Sequence, residues 1–326
     1  MSFRDDIHDR AAELGIADAG LVAKAAIQEQ TLRSMDKTGL LDDLVLQGGS
    51  AIGGCYGGLR LSEDLDFIRT RRLKESSVKA FSEDLTRRLE SSFEVRARVK
   101  EPDSVDPGNG GVLRWSVIVD DSPERPELPS HRMKIEVGGF PAYSSTARAY
   151  SNPAIGLPSP DAPVLLVETP DEIVADKIVS FVNSKTYLRL RDLYDIEFLR
   201  RTQGIAVPSV AALVQEKLDD YGVESLRPAY EQALTRFSAA GGAKAVADGL
   251  SGMLIPAGRA LLSSARQTEA LCNGALSMFD GVLREIDESN LSGNADLYEE
   301  CEEVNRDSID PDARLSPVQE ATEFER

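Results

Sequence analysis

The chain has 326 residues, 41% hydrophobic and 28% charged, with a formal net charge of −18, a composition ordinary for a globular protein with room for two cores. Three scattered cysteines and only two histidines exclude a disulfide framework, a zinc pattern and a histidine-rich metal site. No apolar run is long enough for a membrane span and the start, MSFRDDIHDR, is too charged for a signal peptide, so a cytoplasmic protein with no membrane partner is expected.

More than half of the acidity lies at one end. Residues 285–326 hold 14 acidic and three basic residues, a net of −11, so the overall sign does not argue against a nucleic-acid partner. A Ser-His-Asp triad would have to use His8 or His131. Chemistry resting on carboxylates, lysines and glycines is expected instead.

The spacing of Ile7, Ala11, Leu14, Leu21, Ala25 and Ile27 predicts helix over 4–35. LVLQ predicts a short strand running into the Gly-rich turn of 48–54, with a short helix over 50–57, and DLDFI predicts the next strand. Val78, Phe81, Leu85 and Leu89 share one face of a helix over 76–91. Strands follow at 94–100, 112–119 and 133–137, where apolar and polar residues alternate. The Pro/Gly/Ser-rich stretch SNPAIGLPSPDAP reads as a boundary. Beyond it, Thr169 suits an N-cap, Pro170 the first helical position and Glu172 a capping box. The pattern stays helical to about 288. The expected class is α+β: a mixed sheet with flanking helices in 1–150, a linker at 151–164, a helical bundle domain at 165–288, and an acidic, flexible tail at 289–326.

The stretch LQGGSAIGGCYGGLRLSEDLDF carries the chemistry. A P-loop needs a lysine closing the glycine turn, and none lies between 48 and 58. The spacing of Gly48, Gly49, Gly53 and Gly54 does not fit a dinucleotide fingerprint either. A nucleotidyltransferase site fits the order better. A Gly-Ser pair at a helix N-terminus offers amides and a hydroxyl to a triphosphate. Asp64 and Asp66, two apart on a strand, then point to one face and suit Mg²⁺. By the same alternation, Lys134 and Glu136 share a face of the MKIEV strand, so Glu136 would complete a three-carboxylate cluster if the two strands pair.

Two helical motifs accompany these: VADKI, with Lys177 at the edge of an apolar stripe, and RDLYDIEFL, with Asp192 and Asp195 at i and i+3. Together the strings GGSAI, RLSEDLDF, KIEV, VADKI and RDLYDIEFL, in that order over roughly residues 40–200, resemble the AbiEii/AbiGii nucleotidyltransferase toxin family of the polymerase-β-like superfamily. The resemblance implies that Gly49, Ser50, Lys134, Lys177 and Arg191 bind the nucleotide. It implies that Asp64, Asp66 and Glu136 hold metal, that Lys177 contacts the triphosphate, and that Asp192 acts as general base on the acceptor hydroxyl. Two departures stand out: Glu136 replaces the Asp of many relatives, and Leu188 holds a position often basic, with Arg189 beside it.

The activity so implied is Mg²⁺-dependent transfer of a nucleoside monophosphate from an NTP, with two ions and pyrophosphate released, to an RNA acceptor, the tRNA 3′ end first among them. A cognate antitoxin is the implied protein partner. Basic residues near the Asp strand, Arg69, Arg71, Arg72 and Lys74, then Arg87, Arg88, Arg96, Arg98 and Lys100, could contact a phosphate backbone. The rival readings are transfer to a protein hydroxyl, and a non-catalytic module that binds a nucleotide or antitoxin.

Overall fold

The computed structural model describes residues 2–106, 110–125, 127–152 and 162–307, with only the backbone described beyond residue 290. Most of the expected linker (153–161) and the end of the expected tail (308–326) lie outside the described residues.

The N-terminal helix is two helices, α1 (Phe3–Glu13) and α2 (Ala19–Lys37). Gly15 takes a left-handed φ of +59° after α1, and the Ile16 amide returns to the Ala11 carbonyl at 2.8 Å, a helix stop that periodicity cannot reveal. Asp18 then caps α2 through the Gly20 amide at 2.9 Å. In chain order follow β1 (Leu44–Gln47), α3 (Gly48–Cys55), β2 (Leu65–Arg69), α4 (Glu75–Phe93), β3 (Arg96–Lys100), β4 (Leu113–Asp120) and β5 (His131–Gly138), each close to its predicted place.

Two further strands, β6 (Ser145–Ala149) and β7 (Val164–Glu168), form an antiparallel pair on either side of the Pro-rich stretch. The seven strands make one mixed sheet in the order β3-β4-β5-β2-β1-β7-β6. Strand β7 lies parallel to β1, and β2 parallel to β5, so β1, β2 and β5 stand together at the centre. Trp115, Ile135, Phe67 and Leu46 are fully buried, and Phe81 of α4 meets the Trp115 ring edge-on at 6.0 Å.

The helical half comprises α5 (Pro170–Asn183), α6 (Leu190–Thr202), α7 (Val207–Asp220), α8 (Leu226–Ala239), α9 (Ala243–Leu250), α10 (Pro256–Ala260) and α11 (Ala265–Asp307). Its core, where Phe279 stacks on Tyr230 at 4.9 Å and meets Phe181, is continuous with that of the sheet. The backbone of 289–307 is helical, as part of α11. Among the described residues no helix is long and apolar enough to cross a membrane.

Thr169 caps α5 as expected, accepting from the Glu172 amide at 3.4 Å. The second half of the capping box is not made. The Glu172 carboxylate instead accepts from the Tyr143 amide at 2.9 Å and from Lys217 Nζ at 2.9 Å. Lys217, only 2% exposed, also meets Asp176 at 2.9 Å, and Glu168 lies fully buried beside them. Burial and the charge of Asp176 push the Glu168 carboxyl well up. Burial alone would lower the Lys217 ammonium, but Asp176, Glu168 and Glu172 hold it up. This cluster ties β7, α5 and α7 together.

Removing the one cation of a buried cluster leaves its anions uncompensated, at a cost of about 3–5 kcal/mol. Lys217→Met is therefore expected to lose that much in denaturant unfolding, with part of the loss recovered when Glu172→Gln is added. A loss below about 1 kcal/mol would contradict a structural role for the pair.

Candidate active site

Strand β1 delivers Gln47 opposite Asp66 of β2 in antiparallel register. The next residue, Gly48, starts α3 with φ +71°, and a Cβ there would lie 3.3 Å from the Asp66 carboxylate. Gly49 is equally confined, since its Cβ would come within 2.5 Å of the Arg60 guanidinium. Gly48 thus lets the helix N-terminus, whose first-turn amides have no intrahelical partners, approach the Asp66 carboxylate closely. Ser50 is buried, its hydroxyl directed to the Gln47 carbonyl at 3.5 Å.

Leu65 and Phe67 face the core, leaving Asp66 on the open face of β2. The parallel register with β5 sets Asp66 beside Glu136. Asp64 precedes the strand, on a turn fastened by α2: buried Gln28 donates to the Ser62 and Asp64 carbonyls at 3.1 and 3.3 Å. The Asp64 carboxylate accepts from the Lys134 amide at 2.8 Å, whereas the Lys134 side chain is exposed. Arg114 takes one Glu136 oxygen at 2.7 Å. Among the described residues, the three acidic groups whose ligand atoms all lie within 4.8 Å are Glu168, Glu172 and Asp176, around Lys217, and not Asp64, Asp66 and Glu136.

Burial, then Glu136 and Asp64, push the Asp66 carboxyl up to about 6, against the opposing pull of Arg189 and Lys177. Carboxylates in this register repel unless a cation joins them, and hard divalent ions suit an all-oxygen donor set. Asp66 and Glu136 in register on adjacent strands, with Asp64 two residues away, form an all-oxygen donor set that fits a divalent ion.

The opposite wall comes from α5 and α6. Lys177 is buried and held by Asp192 at 3.1 Å and Asp195 at 2.7 Å. Asp195 receives Arg60 through two bonds, 3.1 and 2.7 Å, and Arg189 takes the second Asp192 oxygen at 2.6 Å. Charges therefore alternate along Arg60, Asp195, Lys177, Asp192 and Arg189. Burial alone would raise Asp195, but Arg60 and Lys177 hold it well below the usual carboxylate range. Burial would likewise lower Lys177, but Asp192 and Asp195 keep it above its ordinary value.

Gly49, Asp64, Asp66, Lys177, Arg191 and Asp192 line one cleft of about 120 Å³. Lys134 and Glu136 stand outside this lining, and Ser50 lies under it. Asp192, expected as a general base, has both oxygens engaged by cations. Arg189, beside Leu188, reaches Asp192 and lines the cleft. The sequence assigned no role to Arg60, whose sole signal was a basic residue between the glycine turn and the aspartates.

The Asp66 pKa gives a signed expectation. An acid whose folded pKa is raised binds its proton more tightly when folded, so its contribution is full below about pH 4 and is lost as pH rises through 6. Asp66 is partly exposed, so the effect is roughly 1–3 kcal/mol. In chelator, Asp66→Asn should be the more stable protein at pH 7.5 and equal to wild type near pH 4. Added Mg²⁺ or Mn²⁺ should raise the wild-type Tm at pH 7.5 more than that of the variant. Equal stability at both pH values without metal would contradict this electrostatic account.

Residues 30–268 match the family model described as nucleotidyl transferase AbiEii toxin, type IV TA system. Among solved structures, MenT4, a nucleotidyltransferase toxin from Mycobacterium tuberculosis H37Rv, is similar at 22% identity over 64% of this chain and 68% of that one, with a TM-score of 0.47. JHP933 from Helicobacter pylori is similar at 14% identity over 86% of this chain and 98% of that one, with a TM-score of 0.44. No curated protein matches the chain in sequence. The family model spans well over half of the chain, and the family is the one that the motifs over roughly residues 40–200 resemble. The chain therefore belongs to the AbiEii nucleotidyltransferase toxin family of type IV toxin–antitoxin systems, which makes it an enzyme of that class and implies a cognate antitoxin.

Proposed function

We propose that this protein transfers a nucleoside monophosphate from an NTP to a hydroxyl of an RNA acceptor, the tRNA 3′ end before others, and thereby stops translation in the cytoplasm. The observation that carries the reading is the facing of three parts across one cleft: the N-terminus of α3, the Asp64–Asp66 pair, and Lys177. The first offers amides and a helix dipole to phosphate oxygens. Lys177, kept charged by Asp192 and Asp195, offers a cation to the same triphosphate.

Asp64 and Asp66, with the Glu136 carboxylate alongside, are the residues that would hold divalent ions. Such ions, when bound, neutralise charge on the triphosphate and stabilise the departing pyrophosphate. The chain's own work is positioning. Asp195, itself held by Arg60, and Asp192 both fix Lys177, so the ammonium need not reorganise as charge develops. Asp192 is thus a positioning residue in this reading, with Lys177 as the group that touches the nucleotide.

A basic sheet face supports RNA as the acceptor. Register places Arg114 and Lys134 beside the carboxylates, and then Arg132, Lys100, Arg98 and Arg96, on the same open face of β3, β4 and β5. All six are exposed. Such a track suits a phosphate backbone leading into the cleft.

Purified protein incubated with Mg²⁺, bulk tRNA and each labelled NTP is expected to label tRNA with one or more of them. Asp64→Ala and Lys177→Ala should each lower the rate at least about a hundredfold. Arg98→Glu with Arg132→Glu should raise KM for tRNA about tenfold or more at physiological salt and leave KM for the NTP unchanged. Label on protein alone would replace the acceptor. Nucleotide binding with no transfer to anything would favour a binding module instead.

A further inference from the structure

A second chamber adjoins the phosphate cleft. Glu63, Arg189, Arg191 and Asp192 line both. The cleft itself, at about 120 Å³, is too small for a whole nucleotide, since ligand sites typically enclose roughly 300–1,000 Å³. The adjoining chamber measures about 350 Å³. Any triphosphate seated against α3 must send its nucleoside out of the cleft, and this chamber, which shares four lining residues with it, is of adequate size.

The walls of the chamber suit a flat, partly apolar group. Leu190 and Met253 supply apolar surface, and Tyr187 on the α5–α6 connection lines the same space with its side chain largely exposed, at 60%. An aromatic ring left in solvent at the rim is a ready stacking surface for a base. Met253 is held in place from the site side, because its carbonyl accepts from the Leu61 amide at 2.9 Å and Arg60 bridges to Leu254. The chamber is therefore anchored to the same segment that carries Arg60 and leads to Asp64.

Gly249 gives an independent indication. It lies inside α9 and is not among the glycines of positive φ, so its backbone does not require glycine. A Cβ there would meet only Leu190 Cδ1, at 4.0 Å, so packing does not require glycine either. Glycine within a helix is unfavourable relative to alanine. Gly249 is exposed and lines the chamber, and a side chain there would meet open space.

We infer that the chamber walled by Tyr187, Leu190, Gly249 and Met253 is the nucleoside subsite of the donor NTP, its base stacking on Tyr187 while its phosphates occupy the cleft beyond Arg189 and Asp192. The inference rests on the nucleotidyl-transfer reading above.

Calorimetric titration in Mg²⁺ separates the two halves of the ligand, with each NTP as one probe and inorganic tripolyphosphate as the other. Gly249→Trp fills the chamber and is expected to weaken the best NTP tenfold or more, leaving tripolyphosphate affinity unchanged. Gly249→Ala puts only a methyl group into the chamber and should weaken the NTP less than the tryptophan does, sparing tripolyphosphate, while melting at a higher temperature. Tyr187→Ala, on an exposed side chain, should weaken the NTP at least threefold and spare tripolyphosphate, and it keeps the test decisive if the tryptophan variant does not fold. Unchanged NTP affinity in folded Gly249→Trp or in Tyr187→Ala would overturn the inference. So would a raised KM for tRNA at constant NTP affinity, which would give the chamber to the acceptor. Failure of the wild type to bind either probe would overturn the nucleotidyl-transfer reading, and this subsite with it.

Discussion

Lys177 is a cation buried between two aspartates, and the site is organised around that burial. An ammonium taken out of water costs several kcal/mol unless anions replace the lost hydration. Asp192 and Asp195, one helical turn apart on α6, do so at 3.1 and 2.7 Å. Two aspartates on one buried face would in turn repel, and Arg60 and Arg189 bracket them. No member can be removed without stranding a charge. The network therefore fixes the cleft's geometry as much as it stabilises the fold, and it binds the helical half to the segment running into β2.

The cleft faces that network with the opposite imbalance. Asp64, Asp66 and Glu136 gather negative charge at the centre of the sheet, where β1, β2 and β5 meet. Gly48 allows the N-terminus of α3 to sit against Asp66. Negative carboxylates beside a positive helix end and a buried ammonium make a site short of two partners: divalent cations for the carboxylates, and an anion for the amides and the lysine. A metal-bound triphosphate supplies both at once. The basic face of β3, β4 and β5 extends the same logic outward to a polyanionic acceptor.

Much of the site was legible because its geometry is local. Alternation put Asp66 on the face opposite Leu65 and Phe67, and Lys134 on the face of Glu136; strand pairing then set Glu136 beside Asp66. What escaped depends on contacts distant in sequence. Arg60 and Asp195 are 135 residues apart, and Lys217 lies 45 from Glu172. No periodicity announces such pairs. The capping box at Thr169 was half made because Glu172 found stronger partners in Lys217 and the Tyr143 amide. Strand β6 carries too few apolar residues to alternate, and β7 is a short run directly after a turn-rich stretch. The α1–α2 break hinges on a single left-handed glycine.

The most direct test is a crystal structure of the protein with Mn²⁺ and a non-hydrolysable NTP. The account predicts anomalous density joining Asp64 to Asp66, and phosphate oxygens held between the Gly48–Ser50 amides and Lys177 Nζ, with the Asp195–Lys177–Asp192 contacts retained. Metal at Glu168, Glu172 and Asp176 instead, or a nucleotide bound away from α3, would contradict it.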